Sequence, residues 1–206
     1  GQNSNAVAEL ALGMMLFMAR NHFQPGTGTE LKGKTLGIQA YGNVGRLVAQ
    51  LAKGFGMDVL AFDPFVPVDT MVAEGVTPIT DLKELYRRSN YLSLHIPANE
   101  QTKKSINYDL LSMMPKGACL VNTARKEVIH EEDLMRVMEE RPDFKYVSDI
   151  APDSLAALQE KFGTRVFATA KKMGAETAEA NVNAGLAAAN QVVGFLKEGV
   201  DRFRVN

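Results

Sequence analysis

The chain has 206 residues, 46% of them hydrophobic, and a formal net charge of −1 with cations and anions interspersed. That length can bury one substantial core, and the charge pattern excludes a basic stripe for nucleic acid or a polybasic cluster for a membrane surface. A single cysteine, Cys119 in the apolar run ACLVNTA, excludes an internal disulfide and fits a packing role in a reducing compartment.

In chain order, residues 5 to 20 read as a helix opened by Ser4 or Asn5 as N-cap, with apolar residues nearly all the way round. Such a helix needs cover on most sides, from a second subunit, a second domain, or simply the core of its own domain. Its apolar run at 6 to 19 is short for a membrane span and carries Glu9, so the chain reads as cytosolic, without signal peptide or anchor. A loop rich in Gly, Pro and Thr follows at 22 to 34. Strands are then expected at TLGIQAY (35 to 41), DVLAFD (58 to 63), a weaker VTPI (76 to 79), YLSLHI (91 to 96), ACLVNT (118 to 123), FKYVSD (144 to 149) and VFAT (166 to 169). Helical patterns fill 43 to 55, 81 to 88, 107 to 113 and 131 to 140. Near-continuous apolar strands with helix-length crossovers imply an α/β fold, a doubly wound, Rossmann-like parallel sheet. An Ala-rich helix at about 176 to 197, with a small-residue face suited to close packing, ends the pattern.

The stretch GIQAYGNVGRLVAQLAKGFGMDVLAFDPF has the order strand, glycine turn, helix, strand, acidic residue. Its turn reads Ala40-x-Gly42-x-x-Gly45 where a glycine is usual at the first place, a substitution tolerable if Ala40 does not need a positive φ. Gly42 allows close approach of a pyrophosphate and Gly45 lets helix and strand pack closely. Tyr41, Gly42, Asn43 and Val44 are therefore the expected phosphate-side contacts, at the positive end of the helix. Asp63, 18 residues past Gly45, can accept both ribose hydroxyls and would repel a 2′-phosphate. With Asp63-Pro64-Phe65 and no arginine immediately after, NAD is favoured over NADP, Pro64 lying beside the ribose. A mere tight turn is the competing reading of the glycines alone.

Three further stretches end on the same edge of the expected sheet, where ligands bind in such folds. They are His95-Ile96-Pro97, with Thr102 in the loop beyond; Asn122-Thr123-Ala124-Arg125; and Asp149. A guanidinium at Arg125 can bind a carboxylate through two parallel charged hydrogen bonds; a surface ion pair with Glu127, Glu131 or Glu132 is its bland alternative. His95 reads as a packing and cofactor-contact residue with local hydrogen bonds, His130 as a capping or solvated residue, and His22 as part of the early loop. Nothing in the pattern calls for a metal.

Over essentially its whole length the sequence resembles the D-2-hydroxyacid dehydrogenase family, through NSNAVAE, the NTAR segment and TAEANVNAGLAAANQVV in order and spacing. The resemblance implies hydride transfer between NAD and a small D-2-hydroxy acid, foremost 3-phosphoglycerate in serine synthesis. A related glyoxylate or hydroxypyruvate reductase, or a non-catalytic NAD-sensing module, are the alternatives. It implies that Arg125 holds the substrate carboxylate and carbonyl, that Asp149 faces the nicotinamide amide, and that Thr123, Ala124 and Gly174 border the cofactor. It also implies a homodimer through the first helix, and roughly a hundred residues of substrate domain ahead of NSNAVAE. On that pattern residues 1–30 are a linking and dimer helix with its loop, 31–175 the NAD-binding domain, and 176–206 a helix and tail returning toward the substrate domain.

Most of the family place a histidine, paired with a glutamate, shortly before the last helix. Here the stretch reads Thr169-Ala170-Lys171-Lys172-Met173-Gly174, similar to a lysine-bearing branch of the family. Counting from Thr169 selects Lys171, the preferred proton carrier; counting back from Gly174 selects Lys172. At a reference pKa of about 10.4 a lysine rarely accepts a proton near neutrality, so the neighbouring lysine, Arg125 and desolvation are expected to lower it. Adjacent lysines on a solvated loop are the competing reading. Asp153, near the place of the missing glutamate, is the candidate partner.

Overall fold

In the computed structural model, which describes residues 1–201, seven parallel strands form one sheet in the order β3-β2-β1-β4-β5-β6-β7. They are β1 (Thr35–Gln39), β2 (Asp58–Phe62), β3 (Thr77–Pro78), β4 (Tyr91–Leu94), β5 (Cys119–Asn122), β6 (Lys145–Ser148) and β7 (Val166–Ala168). The chain walks outward from β1 to β3, then returns to lay β4 against the other side of β1. Between β1 and β4 the direction of winding reverses, and the crevice opened there by the carboxyl ends of the strands is where such sheets take ligands.

Side chains alternate between the two faces, as the pleat requires. Leu36, Ile38, Val59, Ala61, Val121 and Val147 pack under α1 (Ser4–Ala19) and α2 (Asn43–Gly54). Leu60, Leu92, Leu94, Leu120 and Tyr146 pack under α4 (Leu82–Arg88), α5 (Tyr108–Leu111), α6 (Glu131–Glu140) and α7 (Leu155–Phe162). Helix α3 (Val68–Ala73) precedes the edge strand β3, which is only two residues long and contains Pro78, a residue that an edge strand tolerates.

Helix α1 lies against α2, β5 and β6, and buries Val7, Ala8, Ala11, Leu12, Met14, Met15, Met18 and Ala19. Most of its apolar residues are thus covered within its own domain, while Leu10, Leu16 and Phe17 stay half-covered. The expected side-chain cap is absent: Asn3 precedes the helix and neither Ser4 nor Asn5 serves as N-cap. Beyond Arg20, Asn21, His22 and Phe23 all adopt positive φ, each a strained state for an L-residue, while the His22 ring stacks on Phe17 at 4.3 Å.

Two expectations about the glycine turn are corrected or sharpened. Ala40 has φ +78°, so the first position does require the left-handed region, and the alanine carries strain that glycine would not. A Cβ on Gly45 would lie 2.4 Å from the Ala40 carbonyl oxygen and 3.1 Å from Ile38 Cγ2, so α2 can meet β1 only through a glycine.

Helices α3 and α7 are additions to the sequence reading. The last helix, α8 (Ala178–Glu198), differs from it in kind: it ends on Gly199 in the left-handed conformation and buries only Ala180. Val182, Leu186, Val192, Val193, Phe195 and Leu196 are exposed rather than closely packed. Residues 202–206 of the expected tail lie outside the described residues.

Candidate functional site

The carboxyl ends of β1, β2, β4, β5, β6 and β7 bring most of the expected residues to one edge. At β1 the turn exposes Gly42 and Asn43; a Cβ on Gly42 would meet nothing within 4 Å, which leaves open space over the turn. No side chain caps α2, so the N–H groups of its first turn face that space. At the end of β2, Asp63 Oδ2 accepts from Tyr41 N–H at 2.8 Å and Oδ1 accepts from Phe65 N–H at 2.8 Å. These bonds orient the carboxylate and leave each oxygen a further lone pair. Pro64 beside it is exposed, Tyr41 is buried with its hydroxyl donating to Glu74 at 2.8 Å, and Val44 is half-buried.

At the end of β4 the His95 ring is linked to Ser93 Oγ through Nε2 at 2.9 Å. Burial pushes its pKa down to about 4, so the ring is neutral at physiological pH. An unfolded chain takes up that proton first, near pH 6.5. Folded stability is therefore full above that pH and falls as the pH drops from 6.5 toward 4, by at most roughly 3 kcal/mol. Denaturant titrations at several pH values should show this acid-side slope, and a His95→Gln protein should show less of it. Ile96 is buried and Pro97 exposed. Thr102 spends its hydroxyl on its own loop, donating to the Pro97 carbonyl at 2.5 Å.

At the end of β5 the buried Asn122 side chain builds the turn that presents Arg125. Its Nδ2 donates to the Arg125 carbonyl at 3.0 Å and its Oδ1 accepts from Ala124 N–H at 3.0 Å. The motif reading named Asn122 but gave it no role; an asparagine closing a turn on its own backbone was the available signal. The Arg125 side chain is exposed and donates to the Ala124 carbonyl at 3.2 Å. Among the described residues it has no carboxylate partner: Glu131 accepts from the N–H groups of Asp153 and Ser154, and Glu132 faces His130. The surface ion pair considered for Arg125 is not formed. Thr123 Oγ1 is buried with no hydrogen-bond partner.

Lysines 171 and 172 diverge. Lys171 is exposed, and its carbonyl accepts from Thr169 Oγ1 at 2.8 Å. Lys172 instead turns inward, its Nζ donating to the Thr123 carbonyl at 3.0 Å, the Ala124 carbonyl at 2.9 Å and Asp149 Oδ1 at 3.1 Å. Asp149 is fully buried and also accepts from Gly174 N–H at 2.9 Å. A Cβ on Gly174 would lie 2.8 Å from Asp149 Oδ2 and 3.1 Å from Val7 Cγ2, so only glycine lets this loop close on the carboxylate. The geometry thus favours Lys172 over the preferred Lys171. The ammonium is held by three oxygens, one of which, the Ala124 carbonyl, also accepts from Arg125. Asp153 is not brought to either lysine; it is exposed and pairs with Lys126 at 2.5 Å.

Lys172 and Arg125 share the Ala124 carbonyl, so their cationic heads lie close together at one end of the edge, with Asp63 and the uncapped α2 further along it. Taken together these groups fit a dinucleotide: an uncapped helix start for the diphosphate, an oriented carboxylate for vicinal hydroxyls, and the unpartnered Thr123 hydroxyl near the reacting end. A hollow of about 920 Å³ elsewhere, against Gln191, Phe195, Leu196 and Val200 of α8 and its tail, shares no residue with this edge. No helix among the described residues is long and apolar enough to cross a membrane, and no group of His, Cys, Asp and Glu among them could hold a metal ion.

A family model described as the NAD binding domain of D-isomer specific 2-hydroxyacid dehydrogenases matches residues 14–162. The D-3-phosphoglycerate dehydrogenase of Methanocaldococcus jannaschii is 32% identical over 214 residues, covering 95% of this chain and 40% of that protein. The hydroxypyruvate reductase of Thermotoga maritima is 40% identical over 148 residues, covering 65% of this chain and 47% of that one. Among solved structures, the NAD+-bound 3-phosphoglycerate dehydrogenase of Entamoeba histolytica superposes with a TM-score of 0.92 at 45% identity, over 100% of this chain and 66% of that one. The chain therefore spans less than half the length of these two sequence relatives.

Proposed function

Because this chain belongs to the D-isomer specific 2-hydroxyacid dehydrogenases, as their NAD-binding domain, we propose that it serves an enzyme that oxidises a D-2-hydroxy acid at C2. The leading substrate is 3-phosphoglycerate, giving 3-phosphohydroxypyruvate at the entry to serine synthesis. That choice is supported by the D-3-phosphoglycerate dehydrogenases among the relatives. The observation that carries the reading is the pairing of an uncommitted guanidinium, Arg125, with the inward ammonium of Lys172 on the same strand edge as Asp63.

The roles follow from charge and reach. Backbone N–H groups from Gly42 to Val44 would hold the diphosphate, Asp63 the adenosine ribose, and the ends of β4 to β6 the nicotinamide half. When bound, NAD supplies the hydride acceptor. Arg125 would take the substrate carboxylate in two parallel hydrogen bonds and fix which face of C2 is offered. Lys172 would exchange the hydroxyl proton: as an ammonium it donates in the reducing direction, and as an amine it accepts in the oxidising one. Ala124, beneath both cations, fixes their spacing through its carbonyl. Lys171, exposed on the outer side of the turn, is assigned no part.

The exposed apolar side of α8 is read as the surface that returns toward a substrate domain, and the half-covered strip of Leu10, Leu16 and Phe17 on α1 as the dimer contact. A glyoxylate or hydroxypyruvate reductase is the second reading, supported by the Thermotoga maritima relative and by a glyoxylate reductase structure at 25% identity and TM-score 0.83. A non-catalytic NAD-sensing module gives Arg125 nothing to bind. Arg125→Lys in the full-length protein tests the carboxylate role that both enzymatic readings share: a lost bidentate pair should raise the KM for the hydroxy acid about tenfold or more. An unchanged KM would remove Arg125 from the site.

A further inference from the structure

We propose that Lys172 is held out of reaction by its own hydrogen bonds, and that Asp149 positions it, releasing it when a ligand brings a competing N–H donor to the Asp149 carboxylate. The inference rests on the reading of the site as a nicotinamide site with Lys172 as proton carrier.

An ammonium has three N–H groups and no lone pair. In the structure the Lys172 head faces three acceptors: the carbonyls of Thr123 and Ala124 at 3.0 and 2.9 Å, and the Asp149 carboxylate at 3.1 and 3.3 Å. Three donors meet three acceptors, and no N–H is left for a substrate oxygen. For Lys172 to give or take a proton at the hydroxy acid, one of these bonds must break.

The three bonds are not equally exchangeable. Both carbonyls belong to the turn closed by Asn122 and move only with the end of β5. The carboxylate, by contrast, can change partners without moving the backbone. It is fully buried and its other bond is to the Gly174 N–H. A buried anion stripped of its counter-charge is strongly disfavoured, so Asp149 keeps the ammonium until another donor takes its place. Hydride and proton leave the same H–C–O–H unit, so a nicotinamide ring in position to react must lie within a few bond lengths of Lys172, and hence of Asp149. The carboxamide on that ring carries two N–H donors. The carboxylate has lone pairs to spare but no open side, with Gly174 N–H on one oxygen and the ammonium over the other, so the arriving donor would take the ammonium's place and free one Lys172 N–H toward the substrate. The lysine thus becomes available only when the hydride acceptor is in place.

The test compares binding of NADH with that of ADP-ribose, which keeps the adenosine, diphosphate and second ribose but has no carboxamide. In this chain Lys172 competes with the carboxamide for Asp149, so Lys172→Met should tighten NADH about fivefold or more while leaving ADP-ribose unchanged. Lys172→Leu, which also has no donor, serves in the same role if the methionine protein fails to melt cooperatively, and is judged by the same ratio. A ratio of the two affinities that stays the same, or moves toward ADP-ribose, overturns the inference while the coenzyme reading stands. Failure of both ligands to bind the unsubstituted chain overturns the coenzyme reading and the inference with it.

Discussion

Lys172→Met should leave the full-length protein with turnover reduced about a hundredfold or more, the range typical for loss of a positioned proton carrier, while Lys171→Met should leave turnover unchanged. The same substitution acts on stability. Asp149 is fully buried, and its other bond comes from the Gly174 N–H, so removing the ammonium leaves an uncompensated charge inside the domain. Breaking a buried pair from one side costs about 3 kcal/mol or more, and Lys172, a third exposed, sits at the lower end of that range. Denaturant melts and steady-state rates on the two single variants check both halves. Equal loss from Lys171→Met would return the proton to the residue first preferred from the motif. Lys172→Met with full turnover would leave the lysine a structural strut.

Gly45→Val carries the second large effect. The added Cβ alone falls 2.4 Å from a backbone oxygen, that of Ala40, where no flexible side chain can give way. Ala40 already stands at φ +78° and cannot swing to make room. Helix α2 must therefore lift from β1, losing cover over Ile38 and moving its uncapped start away from the diphosphate position. A destabilisation of roughly 3 kcal/mol or more is expected, with NADH affinity lost in whatever fraction stays folded. A calorimetric melt with and without NADH would show both. If Gly45→Val binds NADH normally, the turn does not place the coenzyme.

What could be read from the sequence was what local patterns determine. The seven strands, their parallel pairing and the glycine turn with Asp63 lie in runs whose apolar periodicity or spacing is set within about 30 residues, whereas the order of the strands was not read from them. The short helix α3 passed unseen because six residues after a proline give too little periodicity to recognise. Ala40 is a different case: the sequence showed the departure from glycine, but only the backbone shows that the turn still demands a positive φ. Which of Lys171 and Lys172 turns inward lay beyond counting. Thr169 Oγ1 bonds the Lys171 carbonyl and Gly174 docks on Asp149, and the second lysine is the one that faces the carboxylate. Asp153 looked suitable by chain position, yet Lys126 and Glu131 hold its segment at the surface end of α6. The all-apolar first helix carried no mark of which neighbour would cover it, since burial against a sheet and burial against a partner select the same residues.

The account stands on a coenzyme lying along the strand ends with its adenosine ribose on Asp63, whose two oxygens are already aimed by Tyr41 and Phe65 N–H groups. The most direct measurement is a fluorescence titration of the chain with NADH and with NADPH under the same conditions. Saturable binding of NADH, with NADPH about tenfold weaker or more because its 2′-phosphate meets a carboxylate, is the predicted result. Equal affinity for the two would contradict the account.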